Sequence, residues 1–262
     1  MLAVDIGNTT ITCGFFEGRR LTRRFCVPTR DYKKFSHFCK GVGDCIIASV
    51  VPEACRFVTG YIRRASHMRP YVLGENITAP IRNRYRKPRQ VGQDRLVNAY
   101  AAACRWGVPA IVVDYGTAVT FDIVSQKNDY IGGMIFPGLQ MSLAALHEKT
   151  ALLPRIKLAK PSMFFGRNTR SSILSGVIYG YAAMTESLVS MIQTRIAKPA
   201  VVIGTGGDIK LITGYTRIFT AVDPHLTLKG LQRIYEARTS KSCACSGYES
   251  GSLKRVRPAT GI

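Results

Sequence analysis

Two short acidic turns in the sequence carry groups that can bind a phosphate chain. Each follows an apolar, strand-like run: residues 5–9 read Asp-Ile-Gly-Asn-Thr, and residues 114–118 read Asp-Tyr-Gly-Thr-Ala. Glycine lets main-chain amides approach an anion closely, and the neighbouring Thr and Asn add side-chain donors. A carboxylate beside phosphates implies a cation between them. One such turn alone is better explained as a simple hairpin, but two of them at matched positions favour a metal–nucleotide site.

A third carboxylate, Asp94, stands at the start of a helical pattern, beside Arg95. The segment before it is a basic strip, with cations at Arg82, Arg84, Arg86, Lys87 and Arg89. An acidic residue next to a cationic entrance is placed like a base that faces an anionic substrate. Without that context, Asp94 would be explained as a first-turn residue stabilised by the helix dipole.

A glycine-rich segment at residues 204–208, Gly-Thr-Gly-Gly-Asp, follows a β-branched run and precedes a helical one. Glycines at a strand-to-helix junction let a nucleotide lie against the main chain and the helix N-terminus. The same segment also fits a simple turn, so it supports a nucleotide site only together with the acidic turns.

The elements that must position these groups repeat once along the chain. Strand-like runs lie at residues 2–6, 11–16, 21–27, 45–51, 110–114, 119–124, 130–136 and 201–203, and helical patterns at 53–65, 93–105, 138–149, 170–196 and 226–237. Asp5 and Asp114 head equivalent β-β-β units. The sequence therefore predicts two duplicated α/β domains, residues 1–108 and 109–237, followed by a basic, disordered tail at 238–262.

The composition of this 262-residue chain is that of a globular protein, with one exception. Hydrophobic residues make up 46%, but 37 Lys and Arg against 16 Asp and Glu leave a net charge of +21. That charge points to an anionic partner: nucleic acid, an anionic membrane surface or nucleotide-like substrates. No apolar run reaches the roughly 18 residues that a membrane span needs, so we expect a cytoplasmic protein without a membrane partner. The eight cysteines form no C-x-x-C pair and are expected to be reduced thiols that fill the core.

Taken in order, these motifs resemble those of the type III pantothenate kinases. The resemblance covers residues 1–237 and includes D-I-G-N-T at 5–9, G-x-D-R at 92–95, D-Y-G-T-A at 114–118, G-R-N-T at 166–169 and T-G-G at 205–207. It implies two ribonuclease-H-like α/β domains of the acetate-and-sugar-kinase, heat-shock-ATPase and actin superfold. It also implies an ATP-dependent phosphotransferase with an alcohol acceptor. The enzyme would transfer the γ-phosphate of ATP to the primary hydroxyl of pantothenate, giving 4'-phosphopantothenate in the first step of coenzyme A biosynthesis.

The same resemblance implies roles for individual residues. ATP, bound with Mg²⁺, would contact Asp5, Ile6, Gly7, Asn8, Thr9, Thr10, Ile11, Thr12 and Thr117. Asp114 would hold a monovalent cation, K⁺ or NH₄⁺, and Asp94 would accept the proton of the substrate hydroxyl. Pantothenate would contact Tyr85, Gly92, Gln93, Asp94, Arg95 and Thr169. Members of the family are homodimers in which the pantothenate site is completed at the subunit interface.

Two other functions fit parts of the sequence. A catalytically silent regulator or nucleic-acid-binding protein, similar to the Bvg accessory factor proteins, would account for the net charge and the basic tail. Against it, none of the residues expected for catalysis is missing: Asp5, Asp94, Arg95, Asp114, Thr117 and Thr169 are all present. A surface that binds single-stranded nucleic acid also needs aromatic residues among its basic clusters, and this sequence has few there. A sugar or acetate kinase on the same superfold fits G-x-D-R and G-R-N-T less well. Nucleic acid is therefore not the expected partner.

Overall fold

The first strand-like runs of the chain form a sheet, and the side chains of successive residues in its strands pack into two separate hydrophobic cores.

The computed structural model describes residues 1–39, 43–196 and 198–239. One compact unit contains Met1–Arg105 together with the last helix, and a second contains Trp106–Pro224.

The first unit contains a five-stranded sheet. Its strands are β1 (Leu2–Ile6), β2 (Thr10–Glu17), β3 (Arg20–Pro28), β4 (Cys45–Ser49) and β5 (Tyr71–Val72), and they lie in the order β3-β2-β1-β4-β5. The pairs β1–β2 and β2–β3 are antiparallel, whereas β1–β4 and β4–β5 are parallel. A short 3-10 helix, Thr29–Lys34, which the sequence did not predict, follows β3 directly. A two-residue strand, β6 (Arg82–Asn83), lies in the segment that the sequence predicted to be extended.

Helices cover both faces of this sheet. They are α1 (Phe35–Phe38), α2 (Pro52–Ser66), α3 (Gln93–Trp106) and the last helix of the chain, α7 (Leu226–Thr239). Val58 and Ile62 of α2 pack with alternate residues of β1, such as Val4. Val97 of α3 and Leu231 of α7 belong to the core cluster on the other face. This arrangement follows from the two-residue period of a strand, because successive side chains point to opposite faces.

The position of α7 differs from the sequence prediction, which placed residues 226–237 in the second domain. In the structure α7 contacts β1, β2 and β4, so it belongs to the first unit. An amphipathic pattern shows that a helix packs on a sheet, but it does not show on which of two similar sheets. The predicted tail begins inside α7, at Arg238, and its residues from 240 onward lie outside the described part of the chain.

The second unit repeats the strand order of the first. Its strands are β7 (Ala110–Tyr115), β8 (Ala118–Val124), β9 (Asp129–Pro137), β10 (Val201–Thr205) and β11 (Ala221–Val222), in the order β9-β8-β7-β10-β11. Again the first two pairs of neighbours are antiparallel, and the pairs β7–β10 and β10–β11 are parallel. The helices of this unit are α4 (Leu139–Glu148), α5 (Thr169–Gln193) and α6 (Ile209–Ile212). The equal order and equal strand directions support the proposed duplication.

The thiols of the described residues are free. Cys13, Cys39, Cys45 and Cys55 are buried, as core-filling residues should be, whereas Cys26 is exposed. Cys243 and Cys245 lie outside the described residues. None of the helices in the described segments is long and apolar enough to cross a membrane.

Candidate active site

The first acidic turn lies where β1 passes into β2. The ladder between these strands pairs Asp5 with Thr12, and the Gly7 amide donates to the Thr10 carbonyl across the turn, 3.1 Å. The structure therefore brings residues 5–12 together in one hairpin, as the sequence predicted. Two of these residues, Ile6 and Ile11, have fully buried side chains in the core of the first unit. Only their main-chain atoms can contact a nucleotide, whereas Asn8 and Thr9 are exposed.

Thr29 also contacts this turn, although nothing in the sequence pattern singled it out. It is the first residue after β3, and only 6% of its surface is exposed. Its amide donates to the Thr9 carbonyl, 2.9 Å, and its hydroxyl donates to the Gly7 carbonyl, 2.7 Å. The one available signal was its position after a predicted strand that runs beside the turn.

The second acidic turn lies at the equivalent place in the second unit, where β7 passes into β8. The Gly116 amide donates to the Ala118 carbonyl, 3.1 Å, and the Gly138 amide donates to the Thr117 carbonyl, 3.0 Å. At Gly138 a Cβ would clash with the Thr117 carbonyl oxygen, so only glycine lets the start of α4 lie this close to the turn. Asp114 is half-buried, and Thr117 is exposed.

The glycine-rich segment after β10 packs directly against Asp114. Gly206 has φ +97°, and a Cβ there would clash with Asp114 Oδ1 and with the carbonyl group of Tyr115. The Asp208 amide donates to that same Tyr115 carbonyl, 3.1 Å. Gly206 is thus packed against a carboxylate and a carbonyl oxygen, with no room between them for a side chain. Oxygen atoms of these two kinds are the ligands that hard cations prefer, and the K⁺ or NH₄⁺ ion expected at Asp114 stays a prediction.

Asp208 itself was not among the residues predicted for the site. Burial raises the pKa of its carboxyl, and a hydrogen bond with the Gln140 side chain opposes that rise. The second unit therefore places a further carboxylate near its acidic turn.

Asp94 lies in the first turn of α3, and Gly92 is the residue directly before that helix. The amides of Arg95 and Leu96 donate to the Gly92 carbonyl, 3.2 and 3.4 Å, and Asp94 Oδ1 lies so close to Gly92 that a Cβ there would clash with it. That oxygen is buried and accepts no hydrogen bond from the described residues. Burial raises the pKa of the Asp94 carboxyl, while the nearby main-chain amide of Arg95 and the charge of the Arg95 side chain oppose the rise. A buried, unsatisfied acceptor of this kind is costly, and a ligand hydroxyl would satisfy it.

The remaining residues predicted for pantothenate lie in different surroundings. Arg95 is buried, with 7% of its surface exposed, and the Gln93 side chain lies against Gly74. Tyr85 is half-buried, and its amide donates to Asn83 Oδ1, 2.9 Å. All of these belong to the first unit.

Thr169 belongs to the second unit and is the exposed first residue of α5. Asn168 caps this helix, because its side chain accepts from the Ser171 amide, 2.9 Å. Gly166 lies so close to the Ser172 main chain that a Cβ would clash there. The G-R-N-T motif therefore forms a tight cap that presents Thr169 to solvent.

Comparison with known proteins agrees with the resemblance. The model of the type III pantothenate kinase family matches residues 1–191. A type III pantothenate kinase from Anaeromyxobacter dehalogenans is 38% identical over 250 residues, which cover 90% of this chain and 98% of that protein. The chain belongs to the type III pantothenate kinase family. The family resemblance inferred from the ordered motifs is thus confirmed.

Solved structures place this type III pantothenate kinase family member in the expected superfold. A Baf family protein from Campylobacter jejuni, described as a transcriptional activator, superposes with a TM-score of 0.60 at 19% identity and covers 91% of this chain and 98% of its own. A protein from Sinorhizobium meliloti assigned as a 2-dehydro-3-deoxygalactonokinase has a TM-score of 0.57 at 12% identity, covering 91% and 99%. At these identities the likeness concerns the fold alone. It confirms the predicted fold of the acetate-and-sugar-kinase, heat-shock-ATPase and actin class.

Proposed function

We propose that this protein is an ATP-dependent pantothenate kinase that transfers the γ-phosphate of ATP to the primary hydroxyl of pantothenate. The observation that carries the proposal is Asp94 Oδ1, a buried acceptor without a partner among the described residues, in a chain of the type III pantothenate kinase family. In this role the substrate hydroxyl donates to Asp94 Oδ1. Tyr85, Gly92, Gln93, Arg95 and Thr169 would make the other contacts to pantothenate.

Asp94 acts mainly by orientation. An alcohol has a pKa far above that of a carboxyl, so Asp94 cannot remove the proton before the hydroxyl attacks. It accepts the proton late, as the bond to phosphorus forms in a loose transition state. A pKa raised by burial helps this step because it makes the carboxylate a stronger base. Most of the acceleration must then come from positioning and from neutralisation of phosphate charge.

The acidic turns supply that neutralisation. We assign the phosphates of ATP to residues 5–12, with main-chain amides of the turn and the hydroxyls of Thr9 and Thr10 as donors, and to Thr117. Mg²⁺ bound with ATP and a K⁺ or NH₄⁺ ion held by Asp114 would offset the negative charge of the phosphates and of the nearby carboxylates.

We further propose that the protein acts as a homodimer that pairs through α5, close to the pantothenate site. An open, largely apolar groove of about 560 Å³ runs along α4 and α5, lined by Leu146, Ser172, Ile173, Gly176, Val177, Gly180, Tyr181 and Met184. Gly176 and Gly180 have open space where a Cβ would stand, so a second helix can approach the α5 backbone closely. The groove begins one turn after Thr169, which would bring the interface near the substrate.

A cytoplasmic location is the last part of the proposal. Cys13, Cys39, Cys45 and Cys55 are buried as free thiols. Free thiols in such number are typical of proteins in reducing compartments.

A coupled assay of ADP release tests the proposed function. We expect ADP release that requires both ATP and pantothenate, is faster in potassium than in sodium, and does not occur with glucose or acetate. A protein that releases no ADP with pantothenate would instead fit the silent regulator considered above, and turnover of glucose or acetate would favour a sugar or acetate kinase.

A further inference from the structure

The nucleotide-binding turn at residues 7–10 is not closed in the usual way for a short hairpin. A two-residue hairpin turn normally carries two main-chain bonds between its flanking residues. Here the Gly7 amide donates to the Thr10 carbonyl, 3.1 Å, but the main-chain bonds of the turn do not include the reciprocal one, from the Thr10 amide to the Gly7 carbonyl. The Gly7 carbonyl accepts the Thr29 hydroxyl instead, at 2.7 Å.

We propose that Thr29 is a positioning residue for ATP, whose hydroxyl replaces the missing bond of the turn and thereby directs main-chain amides toward the phosphates. The inference rests on the proposed function, because it takes residues 7–10 as the phosphate-binding turn.

The geometry of the peptide bond gives the reason. In a trans peptide the carbonyl of one residue and the amide of the next point in opposite directions. Thr29 binds the carbonyls of Gly7 and Thr9, so the amides of Asn8 and Thr10 both point away from Thr29. The two amides therefore face the same side, as in the main-chain anion sites that bind phosphates.

The second unit provides an internal comparison. The ladder pairs Thr10 with Pro28 in the first unit and Ala118 with Pro137 in the second, so Gly138 is the counterpart of Thr29. Both residues donate an amide to the turn: Thr29 to Thr9, and Gly138 to Thr117. Only Thr29 adds a hydroxyl. The amide contact is thus common to both sheets, whereas the hydroxyl contact is particular to the turn that is expected to hold most of the phosphate oxygens.

Burial makes the hydroxyl contact effective. Thr29 is 6% exposed, so water does not compete well for the Gly7 carbonyl, and loss of the hydroxyl would leave that carbonyl without this donor. The turn could then recover the ordinary bond from the Thr10 amide. That change would remove one phosphate-directed amide while leaving the rest of the sheet in place.

Substitution of Thr29 tests this role. Thr29→Val removes the hydroxyl but keeps the branched shape and the amide, and Thr29→Ala is a second hydroxyl-free variant in case valine disturbs folding. We expect both to weaken binding of Mg·ATP about tenfold, the scale of one hydrogen bond, as measured by calorimetry without pantothenate. Thr29→Ser should restore binding to within about twofold, and the KM for pantothenate should be unchanged in all three variants.

The matched control is Thr22→Val on β3, the strand that directly precedes Thr29. Thr22 is exposed, and its hydroxyl donates to the Phe15 carbonyl, 3.2 Å, so its loss should leave ATP binding unchanged. Wild-type ATP affinity in both hydroxyl-free variants overturns the positioning role. So does an equal loss of ATP and pantothenate affinity that serine does not rescue, because that pattern reports general disturbance.

The binding measurement also separates this inference from the proposed function. If the wild-type protein binds ATP but shows no turnover with pantothenate, a tenfold loss in Thr29→Val still supports the role of Thr29, and the substrate assignment alone is wrong. If the wild-type protein does not bind ATP, both are wrong.

Discussion

At the scale of single residues, Asp94 combines deep burial with an acceptor that has no hydrogen-bond donor in the described part of the chain, which is unfavourable for folding but common in catalytic groups. Its Oδ1 is buried without a partner among the described residues, and burial raises its pKa despite the opposing charge of Arg95. The pKa of the Asp94 carboxyl is therefore higher in the folded protein than in the unfolded chain. Below the unfolded-state pKa this carboxyl does not affect stability. As pH rises above that value, the buried carboxyl lowers the free energy of unfolding, because ionisation is easier in the unfolded chain. Sites that retain such a cost commonly do so for function.

We expect Asp94→Asn to lower kcat by at least ~100-fold, the usual scale for a general base. ATP should bind as before, because Asp94 does not belong to the phosphate-binding turns. Steady-state kinetics and ATP calorimetry measure the two effects. The wild-type kcat should fall as pH decreases through the raised pKa of Asp94, and this acid limb should be absent in the variant.

The melting temperature provides the folding control for this variant. Asparagine has nearly the same size and no charge to bury, so at neutral pH Asp94→Asn should melt no lower than the wild type. Near-normal turnover in a folded variant would remove Asp94 from the role of base.

At the scale of elements, the sequence predicted the strands and turns well because both have local causes. The short apolar runs before Asp5 and Asp114 predict strands wherever they pack, and the glycines after them mark the turns. Helix α7 was assigned to the wrong unit because its apolar face fits either of two similar sheets. Thr29 was missed because its importance arises from the pairing of β2 with β3, which places it beside residues 7–9. Pairings between strands are decided by the whole fold rather than by neighbours in sequence.

The loop between β10 and α6 contains two adjacent glycines, of which one has no room for a side chain and the other has open space. Gly206 has φ +97° and no room for a Cβ beside Asp114, whereas Gly207 has open space there. We expect Gly206→Ala to destabilise the protein by about 2 kcal/mol, the sum of a left-handed backbone penalty and steric displacement. That is a fall in melting temperature of roughly 4–8 °C for a chain of this size.

Gly207→Ala is the matched control and should melt within about 1 °C of the wild type, since an exposed substitution without a clash changes stability little. Differential scanning calorimetry distinguishes the two. Equal melting temperatures would mean that the Gly206 loop does not pack against Asp114 as described.

At the scale of the whole molecule, the net charge of +21 is larger than the proposed chemistry requires. The basic strip before Asp94 is exposed at Arg82, Arg84, Arg86, Lys87 and Arg89, where it can attract two anionic substrates. A locally positive surface is sufficient for that attraction, and the other basic residues are not explained by catalysis.

The proposed dimer can be tested by a substitution in the groove along α5, where the two subunits would meet. In a twofold-symmetric pair each substitution occurs on both sides of the interface, so Gly180→Glu would place carboxylates in the groove from both subunits. We expect the wild type to sediment as a dimer of the 28.9 kDa chain and Gly180→Glu to sediment as a monomer with much reduced turnover but normal ATP binding. Gly60→Glu on α2, where a Cβ would meet only the Arg64 side chain, is the control and should remain dimeric. A dimeric Gly180→Glu variant would show that the subunits pair through another surface, and a monomeric wild type would contradict the dimer itself.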